Sequence, residues 1–187
     1  MNPPNPPHVH RESWRFCPSC GGPLVPRRLK AGEPERPVCD RCGRVIYLDP
    51  KVAVGTVITN GEGEIALVRR SIEPGYGKWV FPGGYVDRGE EPQVAAVREA
   101  REEAGLEIRL DGLIDIYAYA GATPIVIVYA AAAIGGLLEA ADESLEAAWY
   151  GPHAIPWDEL AFPSTRDALR DHRRGRPYTG PRQGWVP

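Results

Sequence analysis

The chain has 187 residues and a mass of 20.5 kDa; 43% of its residues are hydrophobic, 25% are charged, and the net charge is −3. This suits one or two small domains with a real core and excludes a disordered or collagen-like chain. No apolar run reaches the length of a membrane-spanning helix, and the opening MNPPNPPHVH lacks the basic start and apolar stretch of a secretory signal. The cytoplasm is the expected compartment, with no membrane partner.

The charge is unevenly spread. Residues 1–50 carry a net +3, residues 51–165 a net −10, and residues 166–187 a net +4. An acidic middle does not suit a nucleic-acid sheath, whose affinity comes from Lys and Arg on phosphates. It does suit a site that gathers divalent cations, so nucleic acid is not an expected partner.

In chain order, residues 1–13 are rich in Pro and read as a flexible lead-in. Residues 14–50 are short of aliphatics and punctuated by Gly and Pro, too small a piece for an unaided core. Strands are expected over 51–59 and 64–70, joined by the turn-forming Asn60-Gly61, and over Trp79–Phe81 after a Pro/Gly loop. A helix should begin near Pro92 and stop at Gly105. LEIRL, LIDIYAYA, TPIVIVYAAAA and 145–151 read as further strands, and PWDEL and STRDALRDHRR as short helices before a loose tail from Pro177. The expected divisions are 1–13, 14–50, a main domain over 51–165, and a C-terminal helix and tail over 166–187. The mixture reads as α+β or α/β.

Cys17-x2-Cys20 and Cys39-x2-Cys42 are separated by 18 residues, a spacing that suits a four-thiolate zinc site. Two disulfides or four reduced thiols are the other readings. Gly21 and Gly43 follow the second cysteine of each pair, where a tight turn would be useful. A site with four protein ligands is closed, so such a zinc would be structural. The nearby Arg27, Arg28, Lys30, Arg36, Arg41 and Arg44 read first as a solvated basic face.

The stretch GYVDRGEEPQVAAVREAREEAGL, Gly84 to Leu106, places Glu99, Glu102 and Glu103 at i, i+3 and i+4, on one helix face. Val94, Val97 and Ala104 fall roughly opposite and are expected to pack on the sheet. Three like charges on one face repel; a hard divalent ion removes that repulsion. Arg98 stands one turn before Glu102 and can reach back to Glu90. Taken alone, the triad also reads as an ordinary solvated Glu/Arg helix.

With its full spacing, Gly84, then Glu90, then Arg98-Glu99-Ala100-Arg101-Glu102-Glu103-Ala104-Gly105-Leu106, the stretch resembles the Nudix box, with Ala100 a small occupant of the aliphatic slot. The resemblance covers roughly 51–165, and the four-cysteine ribbon extends it. It implies a Nudix fold, a mixed sheet sandwiched between helices, preceded by a zinc ribbon. YLDPKVAVG, RRSIEPGYGKWVFPGGYVDRGE and IPWDELAF are similar to Nudix enzymes of the FAD/ADP-ribose pyrophosphatase type. The Ser-Gln-Pro-Trp-Pro-Phe type of run found in NADH pyrophosphatases is absent, which argues against NAD(H).

The resemblance implies hydrolysis of a nucleoside diphosphate derivative, FAD or ADP-ribose above others, to a nucleoside monophosphate and X-phosphate. NADH or nucleotide-cap cleavage, or a non-catalytic module that senses ADP-ribose or binds nucleic acid, are the alternatives. It implies Mg2+ or Mn2+ held by Glu99, Glu102, Glu103 and the Gly83 carbonyl, with Glu90 and Arg98 orienting. An extra acid outside the box is Glu143 or Glu146, Glu143 being favoured. Arg69 and Arg70 end a strand where one can grip the diphosphate. Tyr76, Trp79, Tyr117 and Tyr119 are candidates to stack on a base, or to sit in the core. His8, His10, His153 and His172 have no metal-like spacing, and a homodimer is the expected assembly. Gly-x-Ser-x-Gly, P-loop and Gly-x-Gly-x-x-Gly elements are absent.

Overall fold

The computed structural model describes residues 14–141 and 143–175. The lead-in over 1–13, with His8 and His10, and the tail from Pro177 lie outside the described residues. The chain divides into two compact units at Pro50, the short loop Gly121–Thr123 grouping with the first.

In the first unit, β1 (Leu24–Arg27) pairs antiparallel with β2 (Arg36–Cys39). Single bridges Phe16↔Pro23 and Val38↔Val45 extend this ribbon at both edges. The unit has little apolar surface to bury, and Val38, Cys17 and Cys39 are its buried hydrophobic positions.

The second unit is built on a mixed sheet of β3 (Lys51–Thr59), β4 (Ile65–Arg70), β5 (Trp79–Val80), β6 (Leu106–Tyr117) and β7 (Pro124–Gly136), in the order β5-β4-β3-β7-β6, with β8 (Ser144–Tyr150) paired to β4. β3 and β7 run parallel in the centre over nine residue pairs, while the other pairings are antiparallel. Val54 to Ile58 are buried at every position. Successive side chains in a strand point to opposite faces, so such a run requires cover on both faces. Helices α1 (Pro92–Ala104) and α2 (Pro163–Arg173) supply that cover.

LEIRL and LIDIYAYA form one continuous strand, β6, whose register shifts between Leu110 and Gly112 absorb the irregularity that made them look separate. The PWDEL segment is a single 3-10 turn over Trp157–Glu159. Helix α2 begins at Pro163 and buries Ala168 and Leu169 in the main core, with Thr165 also buried. A domain boundary at 165 would therefore cut a packed helix after its first turn. None of the helices among the described residues is long and apolar enough to cross a membrane.

Candidate active site and metal centre

Helix α1 starts with Pro92 in its first turn and ends on Gly105, whose left-handed backbone (φ 67°) returns its N–H to the carbonyls of Ala100 and Arg101. Its buried face is made of Ala95, Ala96, Ala100, Ala104 and Glu103. Val94 and Val97, expected to pack on the sheet, are 55% and 40% exposed. At about 100° per residue they lie roughly 180° and 120° from Glu103. The alanines let the helix backbone approach the strands closely, and that approach carries Glu103 inward. Glu103 is 8% exposed; its Oε2 accepts the Gly83 N–H at 2.9 Å. Burial pushes its carboxyl up to about 7; the Gly83 amide and Arg70 oppose the rise, and Glu99 and Glu143 add to it. Burial also raises Glu99, against the pull of Arg98.

Arg98 ties the cluster together. Its Nε and Nη2 donate to the two oxygens of Glu90 at 2.9 and 3.0 Å, a fork on a carboxylate. Nη1 donates to Glu99 at 2.7 Å and to Glu102 at 2.9 Å, and Nη2 also to the Tyr85 carbonyl at 3.2 Å. The Arg98 hydrogen bonds, with the Asp87 N–H behind them, hold Glu90 down at about 2. The loop from Gly84 to Glu90 is thereby fastened over the helix.

The Pro82-Gly83-Gly84 turn lies along β3: Thr56 donates its N–H to the Pro82 carbonyl and Val54 to that of Gly84. A Cβ at Gly83 would sit 2.2 Å from the Val54 carbonyl, and one at Gly84 would sit 2.5 Å from the Glu99 carboxylate. Both positions therefore need glycine, the first for the sheet and the second for the acid.

On the other side, β4 and β8 bring the remaining candidates together. The Ser71 N–H donates to the Glu143 carbonyl at 2.8 Å, and Arg69 pairs with Glu146 at 3.4 Å. Arg69 is further held by the Gly77 carbonyl, whereas Arg70 donates to the Pro74 carbonyl and lies over the Phe162 ring. Arg70 and Glu143 act electrostatically on Glu103. Tyr76 is 58% exposed. Of the two places expected for Trp79, it takes the core, with the Tyr150 ring edge-on at 5.1 Å. Tyr117 and Tyr119 donate to Asp171 and Asp167 of α2, fastening helix to sheet. His153 is exposed and His172 half-buried. Unforeseen from the sequence is the pair Lys51 and Tyr85 at the loop's edge, the ammonium 5.1 Å from the ring centroid; it follows from the Ala53↔Tyr85 bridge, a pairing far apart in sequence.

The four cysteines converge. Sγ atoms of Cys17 and Cys42 lie 3.8 Å apart and those of Cys20 and Cys39 3.5 Å apart, with all four within 4.8 Å of one another. A zinc tetrahedron with bonds of about 2.3 Å has edges of about 3.8 Å, so the donor set fits that ion. The two knuckles share one turn: Gly21 donates its N–H to the Cys17 carbonyl and Gly43 to that of Cys39, both at positive φ. Backbone amides hold the Cys17 thiol down at about 6 and also lower Cys39.

The NUDIX domain model matches residues 49–171, and the Nudix N-terminal zinc-ribbon model matches residues 15–48. The chain belongs to the NUDIX family. It is similar to the ADP-ribose pyrophosphatase of Methanocaldococcus jannaschii, 35% identical over 69% of this chain and 76% of that protein. It is also similar to the NAD-capped RNA hydrolase NudC of Stutzerimonas stutzeri, 29% identical over 83% of this chain and 53% of that protein. Among solved structures it resembles a NUDIX hydrolase from Nitrosomonas europaea, with a TM-score of 0.79 and 29% identity over 87% of this chain and 94% of that one.

As a NUDIX hydrolase the chain is a pyrophosphohydrolase of a family that uses divalent metals. Glu99, Glu102 and Glu103 offer oxygen donors only, the hard ligand set that suits Mg2+ or Mn2+. Two of these acids resist ionising because they are buried, and a hard cation relieves that cost. The cluster fits such an ion in chemistry. Its oxygens are not drawn to one point, since the Arg98 guanidinium bridges Glu99 and Glu102.

Proposed function

We propose that this NUDIX hydrolase cleaves the diphosphate of ADP-ribose to AMP and ribose 5-phosphate, as a homodimer. The observation that carries the reading is Glu103, a carboxylate set among alanines on the buried face of α1 and fastened to the Gly83 amide. A carboxylate so placed without a cation is unfavourable, and a phosphoanhydride site supplies the reason for keeping it. ADP-ribose is favoured over FAD by the archaeal relative that covers most of this chain.

Glu99, Glu102, Glu103 and the Gly83 carbonyl would hold Mg2+ or Mn2+, and Cys17, Cys20, Cys39 and Cys42 a structural zinc. The divalent ion would supply neutralisation of the diphosphate charge and a lowered pKa for water. Arg70 binds the diphosphate; Arg69, held by Glu146 and Gly77, is the lesser candidate. Glu143 accepts the proton of the attacking water, with Glu146 second. The water oxygen forms a new P–O bond, the bridging P–O bond breaks, and the leaving phosphate keeps the bridging oxygen. Glu90 and Arg98 orient the acids, and Tyr76 lies open for stacking on the base.

Cleavage of a nicotinamide dinucleotide is the second reading, favoured by the NudC relative whose match extends over more of this chain. Chromatography of products from ADP-ribose, FAD, NADH, diadenosine polyphosphates and dGTP with Mg2+ or Mn2+ separates these readings. AMP and ribose 5-phosphate as the fastest-formed products support the first. Faster cleavage of NADH selects the second, and binding of ADP-ribose without cleavage of anything selects a sensor.

A further inference from the structure

From the ribbon's strand register we propose that one face of its sheet is a stacking platform for single-stranded nucleic acid. This surface does not depend on which nucleotide the NUDIX domain hydrolyses. The register Arg27↔Arg36 and the bridge Val38↔Val45 put Arg27, Arg36 and Tyr47 in one cross-strand row. Alternation places Val25, opposite Val38, and Pro23, opposite Phe16, on the same face as that row. Phe16 and Tyr47 therefore stand at diagonal corners of one face, and the cysteine of β2, Cys39, points to the other.

These rings are open to solvent, Phe16 at 64% and Tyr47 at 59%, with Trp14 beside the edge at 43%. Exposed aromatics cost a small unit that has few apolar residues to spare, and a partner that stacks on them supplies a reason for their exposure. Residues 14–50 carry seven Lys/Arg against four Asp/Glu. The Arg36 guanidinium lies 4.7 Å over the Tyr47 ring; Arg28 and Lys30 are exposed nearby, while Arg27 is ion-paired with Asp40. Cations beside open rings match a chain of alternating phosphates and bases, which a flat apolar protein surface does not. Three strand spacings across and four residues along separate the two rings by about 19 Å. An oligonucleotide is long enough to span both rings.

The test uses the zinc-loaded full chain and a fluorescent twelve-residue oligouridylate, read by anisotropy. Saturable binding is expected at about 50 mM salt, weakening as salt rises. Phe16→Ala and Tyr47→Ala should each weaken binding about tenfold, and Phe16→Trp should retain it. Zinc content, circular dichroism and dinucleotide hydrolysis should stay at wild-type levels in all three variants. The single strand should bind more tightly than a duplex of equal length. Equal affinity for single strand, duplex and heparin, or no response to the two alanine variants, would show charge alone and overturn the platform. So would the absence of saturable binding.

Discussion

Glu103→Gln separates stability from turnover more sharply than any other change at the site. In the folded, metal-free chain the Glu103 carboxyl titrates at about 7 because it is buried, well above its ordinary value of 4.5. A raised folded value means its stability contribution is complete below the ordinary value and is lost as pH rises through about 7. The gap corresponds to about 3 kcal/mol of cost for the ionised group in the absence of cation. Glutamine keeps the shape and can accept the Gly83 N–H but carries no charge. At pH 8 without divalent ions the variant should therefore melt about 6–12 °C above wild type, for a chain of this size. Near pH 4 the two should coincide, and Mg2+ should narrow the gap at pH 8 by stabilising wild type alone. Turnover should fall by orders of magnitude. Calorimetry across this pH range, with and without Mg2+, reads all of this. A metal-free variant melting at or below wild type at pH 8 would refute the placement of Glu103 as a buried charge.

Gly84→Ala introduces a Cβ 2.5 Å from the Glu99 carboxylate, so kcat/KM should drop about a hundredfold by displacing that acid; steady-state kinetics with unchanged circular dichroism checks it. Chelation should release about one zinc per chain and unfold residues 14–50, followed by mass spectrometry and amide exchange. On α1, Ala96→Leu should cost about 1–3 kcal/mol by overpacking the sheet contact, whereas Val97→Ser, on the open face, should stay within about 0.5 kcal/mol. Denaturant melts of the two variants check that contrast.

The cysteine spacing and the span from Gly84 to Leu106 were readable because both are local: knuckles and helices are set by residues a few positions apart. Pro92 and Gly105 bounded α1 for the same reason. The burial of that helix was not local. A hydrophobicity pattern favours Val94 and Val97 as the packing face, yet the strands beneath demand small side chains and select the alanines, carrying Glu103 in with them. In sequence Trp79 reads equally as a base-stacking ring and as a core residue, because nothing in its neighbours announces Tyr150, which reaches it only through the β4–β8 pairing. That long-range pairing also holds Arg69 against Glu146, whereas the charge of Arg70 acts on Glu103. The continuity of β6 through its register shifts was hidden because Asp111-Gly112 reads as a break in sequence.

Mn2+ titration followed by electron paramagnetic resonance, on zinc-loaded wild type and on Glu99→Gln/Glu103→Gln, addresses the carboxylate cluster most directly. Wild type should remove the free Mn2+ signal saturably, and the double variant, folded and with its zinc retained, should lose that binding. Equal Mn2+ affinity in the two proteins would contradict this.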